Sequence, residues 1–220
     1  MPHDDTPRTG KTPTSHDADA HVAQGKARLT QGSLAEAAYR FRQAIGLKPD
    51  HLEAHYLLGN ALGAQGLLAE AADSFRQALA IRPGFTEAHA RLGHTLMAIR
   101  QPRAAETHFL QALATHPDDA NTHNSLGIVY REQARLAEAE ACYRRALAIK
   151  PDYAEAHNNL GNALRDQGRR DEAEASYRQA LAIHDHYAEP HFNLGNILRD
   201  QQRLAEAEHS YRRALAIRPG

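Results

Sequence analysis

Residues 154–187 read AEAHNNLGNALRDQGRRDEAEASYRQALAIHDHY. In the first half, Ala154 to Asp166, the residues Leu160, Gly161 and Leu164 fall on one stripe at about 100° per residue, the signature of a helix with one packed face. Gly168 follows as turn chemistry. In the second half, Asp171 to Ile183, the residues Ala173, Tyr177, Ala180 and Leu181 form another helical stripe. The stretch therefore predicts an antiparallel helical hairpin with both stripes turned inward.

Stepping 34 residues in either direction lands on the same pattern. Glycine recurs at Gly25, Gly59, Gly93, Gly127, Gly161 and Gly195, and alanine at Ala37, Ala71, Ala105, Ala139, Ala173 and Ala207. A second alanine column runs through Ala44, Ala78, Ala112, Ala146, Ala180 and Ala214. An aromatic column runs through Phe41, Phe75, Phe109, Tyr143, Tyr177 and Tyr211. Proline closes most units at Pro49, Pro83, Pro117, Pro151 and Pro219, since it cannot continue a helix interior; Asp185 is the exception. The units are 18–51, 52–85, 86–119, 120–153, 154–187 and 188–220, preceded by a tail, 1–17, whose Pro2, Pro7 and Pro13 stand among Thr, Ser and Asp without periodicity, so that disorder is expected there.

Glycine inside a helix costs about 1 kcal/mol against alanine, so a glycine in every unit needs a compensating gain. Close approach of neighbouring helices at repeat positions 8, 20 and 27 is the gain expected. A single hairpin of this length is too small to bury a stable core, so the units should stack with nearest-neighbour contacts.

Composition narrows the function classes. Lys and Arg number 26 against 27 Asp and Glu, a formal charge of −1, which gives no electrostatic reason to hold nucleic acid or an anionic membrane surface. No run of 18 apolar residues exists for a membrane span, and Met1-Pro2-His3-Asp4-Asp5 lacks the apolar stretch of a secretory signal. One cysteine, Cys142, excludes an intrachain disulfide and a cysteine-rich zinc site. A cytoplasmic protein is expected, and 22 Arg against 4 Lys suggests a GC-rich bacterial genome.

The columns, with Leu58-Gly59, Leu92-Gly93, Leu126-Gly127, Leu160-Gly161 and Leu194-Gly195, resemble the tetratricopeptide repeat (TPR) over residues 18–220. The resemblance implies an all-α, right-handed solenoid of six helix-turn-helix repeats, about twelve antiparallel helices, serving as a non-enzymatic protein-interaction scaffold. It departs from the pattern at Gln24, where Leu is usual, and at His21, His55, His89, His123, His157 and His191, where an aromatic is usual.

In TPR proteins the first-helix face opposite the core lines a concave groove for an extended peptide or partner helix. Carried onto this chain, the resemblance implies a groove weighted to repeats 4–6, with Asn124, Arg131, Asn158, Asn162, Arg165, Phe192, Asn196 and Arg199 on it and Asn159 and Asn193 at its edge. Asparagine amides both donate and accept, which suits peptide backbone, and the arginines suit acidic side chains. The Asn-bearing face also resembles the superhelix of O-linked N-acetylglucosamine transferases, with only Asn159 and Asn193 in matching places. That implies an alternative role as a stand-alone peptide-recognition subunit of such a transferase. The two-carboxylate clamp of chaperone-tail-binding TPR proteins is absent, because Asn60 stands alone beside Tyr56 and Gly63.

The histidine column does not predict a metal site. Members of adjacent hairpins lie about 10 Å apart, whereas zinc-bound nitrogens sit about 2 Å from the ion, so half-buried, hydrogen-bonded packing is expected. His184 and His186 lack a third ligand. Arg8-Thr9-Gly10-Lys11-Thr12 lacks the first glycine of a phosphate loop, Asp5 standing there, and no strand precedes it. Cys142 occupies a small-residue slot shared with Ser176 and Ser210. Neither a catalytic residue nor a cofactor is expected. At the ends, Gln24, Lys26, Arg28 and Thr30 should cap the first repeat, whereas Tyr211, Leu215 and Ile217 of the last are left uncovered, which predicts a two-fold homodimer through the C-terminal repeat.

Overall fold

A computed structural model of the chain, described for residues 15–219, contains twelve α-helices and no strands among those residues. They are α1 (Ser15–Thr30), α2 (Leu34–Leu47), α3 (Leu52–Ala64), α4 (Leu68–Ile81), α5 (Thr86–Ala98) and α6 (Pro102–Thr115). The rest are α7 (Ala120–Glu132), α8 (Leu136–Ile149), α9 (Ala154–Asp166), α10 (Arg170–Ile183), α11 (Ala188–Asp200) and α12 (Leu204–Ile217). The chain divides into two compact bodies, Met1–Ala88 and His89–Gly220. In the first, α1 packs on α2, α2 on α3 and α3 on α4; in the second the same order of contacts runs from α6 to α12. Each odd helix and its successor form the hairpin that the 34-residue period predicts. Residues 15–17, read from sequence as tail, are the first turn of α1, where Ala18 is fully buried; the remainder of that tail, 1–14, lies outside the described residues. No described helix is long and apolar enough to cross a membrane.

The turn inside each hairpin is set by one residue in the left-handed region, at repeat position 15. Gly32, Gly66 and Gly168 have φ of 75°, 78° and 81° there, and Arg100, Ala134 and Gln202 take 62°, 59° and 61° in the other repeats. This conformation closes the first helix: the amide of Leu67 donates to the Leu62 carbonyl at 3.0 Å, and that of Arg169 to Leu164 at 2.9 Å.

The glycine column permits close approach of the two helices by seating a ring from the second helix on the first. The atoms nearest a Cβ there all belong to an aromatic ring from the second helix of the same hairpin. A Cβ on Gly59 would stand 2.6 Å from Phe75 Cε1, and a Cβ on Gly161 would stand 2.6 Å from Tyr177 Cε1. Phe41, Phe75, Phe109, Tyr143 and Tyr177 are all buried on these seats. The alanine columns flank them and are buried throughout, at Ala37, Ala71, Ala105, Ala139, Ala173 and Ala207.

Between hairpins of the second body a polar staple repeats three times. Arg135, Arg169 and Arg203, just after the turn, reach back to Glu106, Glu140 and Glu174 of the preceding hairpin at 2.7–2.9 Å. Each also holds a carboxylate of its own hairpin: Glu138, Glu172 or Glu206. Burial alone would raise the Glu140 carboxyl, but hydrogen bonds from Gln167 and Arg169 and the nearby Arg144 hold it below its ordinary range.

Four of the six column histidines are hydrogen-bonded alike, whereas His89 lies 3.0 Å from His108 and the buried Nδ1 of His21 has no hydrogen-bond partner. Half-buried His123, His157 and His191, and buried His55, each place Nε2 within 2.8–3.0 Å of the carbonyl six residues back, on Pro117, Pro151, Asp185 and Pro49. The imidazole N–H thereby caps the loop joining consecutive hairpins.

Because ring and glycine backbone are already in contact, Gly161→Ala is expected to lower stability by about 1–3 kcal/mol through overpacking, despite alanine's better helix propensity. Thermal melting of the two proteins checks this; an unchanged or raised midpoint would show that the seat has room to spare.

Candidate functional site

The polar face carried by α7, α9 and α11 lies entirely in the second body. Asn124 and Asn158 stand at position 5 of their repeats, Asn159 and Asn193 at position 6, and Asn162 and Asn196 at position 9. Asn159 donates to Asn124 Oδ1 at 3.0 Å, and Asn193 donates to Asn158 Oδ1 at 3.1 Å, so position 6 of one repeat grips position 5 of the one before. Asn124 in turn donates to Glu155 Oε1 at 3.1 Å and to the Tyr153 hydroxyl at 3.4 Å. Asn158 makes the corresponding bond with Tyr187. Asn124 and Asn158 are buried.

Position 9 serves another purpose. Tyr177 donates its hydroxyl to Asn162 Oδ1, and Tyr211 to Asn196 Oδ1, both at 2.9 Å. A tyrosine on the glycine seat thus finds its acceptor on the neighbouring helix of the same hairpin. Burial pushes the Tyr177 hydroxyl up to about 12, so it remains a donor at neutral pH. Repeat 4 departs from this pairing: Ile128 occupies position 9, and the buried Tyr143 hydroxyl has no hydrogen-bond partner.

These amides, expected as groove residues, also make bonds of their own within the repeat stack. Much of their hydrogen-bonding capacity is spent holding repeat to repeat and ring to helix. Asn159 and Asn193, the two positions matched to the glycosyltransferase ladder, direct their amide nitrogens at the preceding repeat.

Within this face lies a groove of about 600 Å³. It gathers Arg131, Asn158, Asn162, Arg165, Phe192 and Asn193 from the expected groove residues, and Tyr211 and Leu215 from the expected self-association surface. Asn124, Asn159, Asn196, Arg199 and Ile217 are not among its lining residues. Ala188, Glu189, Ala214 and Arg218 complete it and were not anticipated. The signal for Glu189 and Arg218 was present as an acid at the start of one helix and a base at the end of its partner; they meet at 3.1 Å. Phe192 is 54% exposed and Leu215 62%, so the groove offers apolar surface to solvent.

The arginines are arranged asymmetrically. Arg131 Nε donates to Asp166 at 2.8 Å, and Arg165 Nη2 donates to the other oxygen of the same carboxylate at 3.0 Å. Two guanidiniums share one acid and leave an excess positive charge at the groove wall. Arg199 is paired singly, with Asp200, at 2.9 Å. Desolvation would raise the Asp166 carboxyl, but the hydrogen bonds from Arg131 and Arg165 outweigh it and hold the group below its ordinary range. Half-buried Cys142 lies apart from the groove, and burial raises its thiol to about 11, which keeps it protonated and a poor nucleophile at neutral pH.

The family model described as the cilia and flagella-associated protein 70 C-terminal domain, a TPR model, matches residues 3–218. Solved structures share the fold. The MamA protein is 24% identical with a TM-score of 0.74, covering 78% of this chain and 94% of its own. YrrB, described as a TPR protein with an unusual peptide-binding site, is 20% identical with a TM-score of 0.73, covering 86% of this chain and 94% of its own. PilW, described as a widely conserved type IV pilus biogenesis factor, is 20% identical with a TM-score of 0.80, covering 90% and 92%. No curated protein sequence matches the chain.

Two outcomes follow from this polar face. Tyr143→Phe removes a buried hydroxyl without a partner and is expected to stabilise the protein by about 1 kcal/mol, whereas Tyr177→Phe breaks a made bond and is expected to cost about as much; denaturant unfolding of both variants checks the opposite signs. Asp166 has a folded pKa below its unfolded value of about 3.9, so its contribution is complete above that value and lost as pH falls through the folded pKa. Wild type should therefore melt above Asp166→Asn at neutral pH, and the gap should close as acid titrates the carboxylate.

Proposed function

The chain belongs to the TPR family described as the cilia and flagella-associated protein 70 C-terminal domain, and on that footing we propose that it is a non-enzymatic protein-interaction scaffold whose groove over repeats 4–6 binds an extended peptide or partner helix. One observation carries this reading: exposed Phe192 and Leu215 share a groove with Arg131, Arg165 and Arg218, against a single lining carboxylate, Glu189. Apolar surface beside excess positive charge suits a segment that sets an aromatic or aliphatic side chain against Phe192 and a neighbouring Asp or Glu near the arginines. The groove amides of Asn158, Asn162 and Asn193 fix the wall against which such a segment lies. YrrB, similar in fold and described as having a peptide-binding site, supports a peptide as the class of ligand.

The asparagines are unsuitable probes, because their removal loosens the repeat stack as well as the groove. Phe192→Ser and Arg165→Glu are the better ones, since Phe192 is mostly exposed and Arg165 lies on the groove wall. Panning a random peptide library against the full chain is expected to enrich sequences that place an apolar residue next to an acidic one. Each substitution should weaken the selected peptides about tenfold or more in fluorescence anisotropy, with circular dichroism unchanged. Equal binding by both variants would place the ligand elsewhere.

A further inference from the structure

Repeats 4, 5 and 6 each carry an arginine at position 12 followed by an acid at position 13, yet the three copies are wired differently. In repeat 6, Arg199 holds its own neighbour, Asp200, through Nε at 3.2 Å and Nη2 at 2.9 Å. In repeat 5, Arg165 holds Asp166 in the same way, at 3.3 Å and 3.0 Å, with both bonds on Oδ1. In repeat 4 the pattern breaks. Arg131 passes its exposed neighbour Glu132, and its Nε crosses to the next repeat, where it donates to Asp166 Oδ2 at 2.8 Å. Asp166 therefore serves two guanidiniums, one on each carboxylate oxygen.

This trio lies between repeats 4 and 5, inside the second body. Its side chains are drier than the single pair of repeat 6: Arg131 and Arg165 are each 33% exposed and Asp166 29%, against 58% for Arg199 and 43% for Asp200. Charge counts for more where water is partly excluded. Both guanidiniums line the groove, and Asp166 does not. Arg131 commits only Nε to the carboxylate and Arg165 only Nε and Nη2. A guanidinium carries five N–H donors, so both arginines keep donors for a ligand.

The charge of this wall can be counted. Around it, Arg199 is cancelled by Asp200 and Arg218 by Glu189. Glu132 and Glu155 are exposed and are not among the lining residues. Asp166 stays ionised at neutral pH, because the bonds from Arg131 and Arg165 hold its carboxyl below the ordinary range. Two guanidiniums less one carboxylate leave a single surplus positive charge. A ligand carboxylate brings that surplus to zero. A phosphate monoester, with a charge of about −2 above its second pKa of about 6, overshoots it and sets uncompensated negative charge beside Asp166.

We infer that Asp166 sets the anion selectivity of the groove: it tunes the wall of Arg131 and Arg165 to one negative charge, so that the groove accepts an Asp or Glu side chain and disfavours a phosphorylated residue. Given the peptide groove proposed above, Asp166 decides which anion that groove takes. Without its charge, the same two guanidiniums become a doubly positive fork, the arrangement that suits a phosphoryl group. Selectivity here comes from a repulsive element placed beside an attractive one.

Three labelled peptides, alike except for Phe-Glu, Phe-Gln or Phe-phosphoserine at the centre, test this when titrated into the full chain by fluorescence anisotropy at about pH 7.5, where the phosphate is a dianion. Wild type is expected to bind Phe-Glu about fivefold more tightly than Phe-Gln, and Phe-phosphoserine no more tightly than Phe-Glu. Asp166→Asn keeps the side-chain shape and removes the charge. It should reverse the order, with phosphoserine about tenfold tighter than Glu. Glu132→Gln makes the same change in net charge on the exposed neighbour and should keep the wild-type order. A wild-type preference for phosphoserine overturns the role of Asp166, and this readout holds even where Asp166→Asn melts below the assay temperature. So does a folded Asp166→Asn that keeps the wild-type order, or a Glu132→Gln that reverses it. Phe192→Ser separates this role from the groove itself: loss of all three peptides in that variant, with an unmoved order in Asp166→Asn, leaves the groove standing and removes only the selectivity. Failure of wild type to bind any of the three up to millimolar concentration removes both. Circular dichroism reports which variants are folded.

Discussion

An aromatic ring resting on bare glycine backbone is the contact from which the rest of this molecule follows. In all six hairpins the ring at position 24 lies where a Cβ at position 8 would be, at 2.4–3.0 Å. The contact fixes how closely the two helices of a hairpin approach, and the flanking alanine columns exist to permit that approach. Close packing of this kind tolerates neither a void nor an added methyl group. The helix propensity lost at glycine, about 1 kcal/mol, is offset by burial of a whole aromatic side chain, which is of the order of 2–3 kcal/mol.

The choice of ring governs the polar chemistry around it. Phe41, Phe75 and Phe109 need no partner, whereas a tyrosine on the same seat carries a hydroxyl into a dry site, where an unmade hydrogen bond costs about 1–3 kcal/mol. Asn162 and Asn196 answer Tyr177 and Tyr211, and Ile128 fails to answer Tyr143. Asparagine at position 9 is therefore tied to packing as well as to the groove. The same holds for the amides at positions 5 and 6, which bond across consecutive repeats.

The second body differs from the first in how its repeats are tied. The staples of Arg135, Arg169 and Arg203 and the amide relay both fall there, and the groove lies on the hairpins they tie together. A groove that must hold a ligand in one geometry gains from walls whose side chains are already fixed by second partners. What the internal network leaves over for a ligand is exposed Phe192 and Leu215 and the surplus charge of two guanidiniums that share the one carboxylate of Asp166.

The sequence by itself determined the hairpin, its period, the number of repeats and the twelve helices, because helical spacing, turn residues and small-residue columns are local and are repeated in every copy. The helix ends expected for residues 154–183 differ from the observed ones by a single residue, since Arg170 begins α10 one position before Asp171. Tertiary structure decided what each conserved-spacing residue touches. Glycine at position 8 faces an aromatic ring, and the asparagines grip one another as well as lining a groove. Lys26 pairs with Glu53 of the next hairpin and Arg28 with Glu36 of its own. A one-dimensional pattern shows on which side of a helix a residue lies, but the partner of a long or two-ended side chain depends on distances across repeats, and those exist only once the hairpins have stacked.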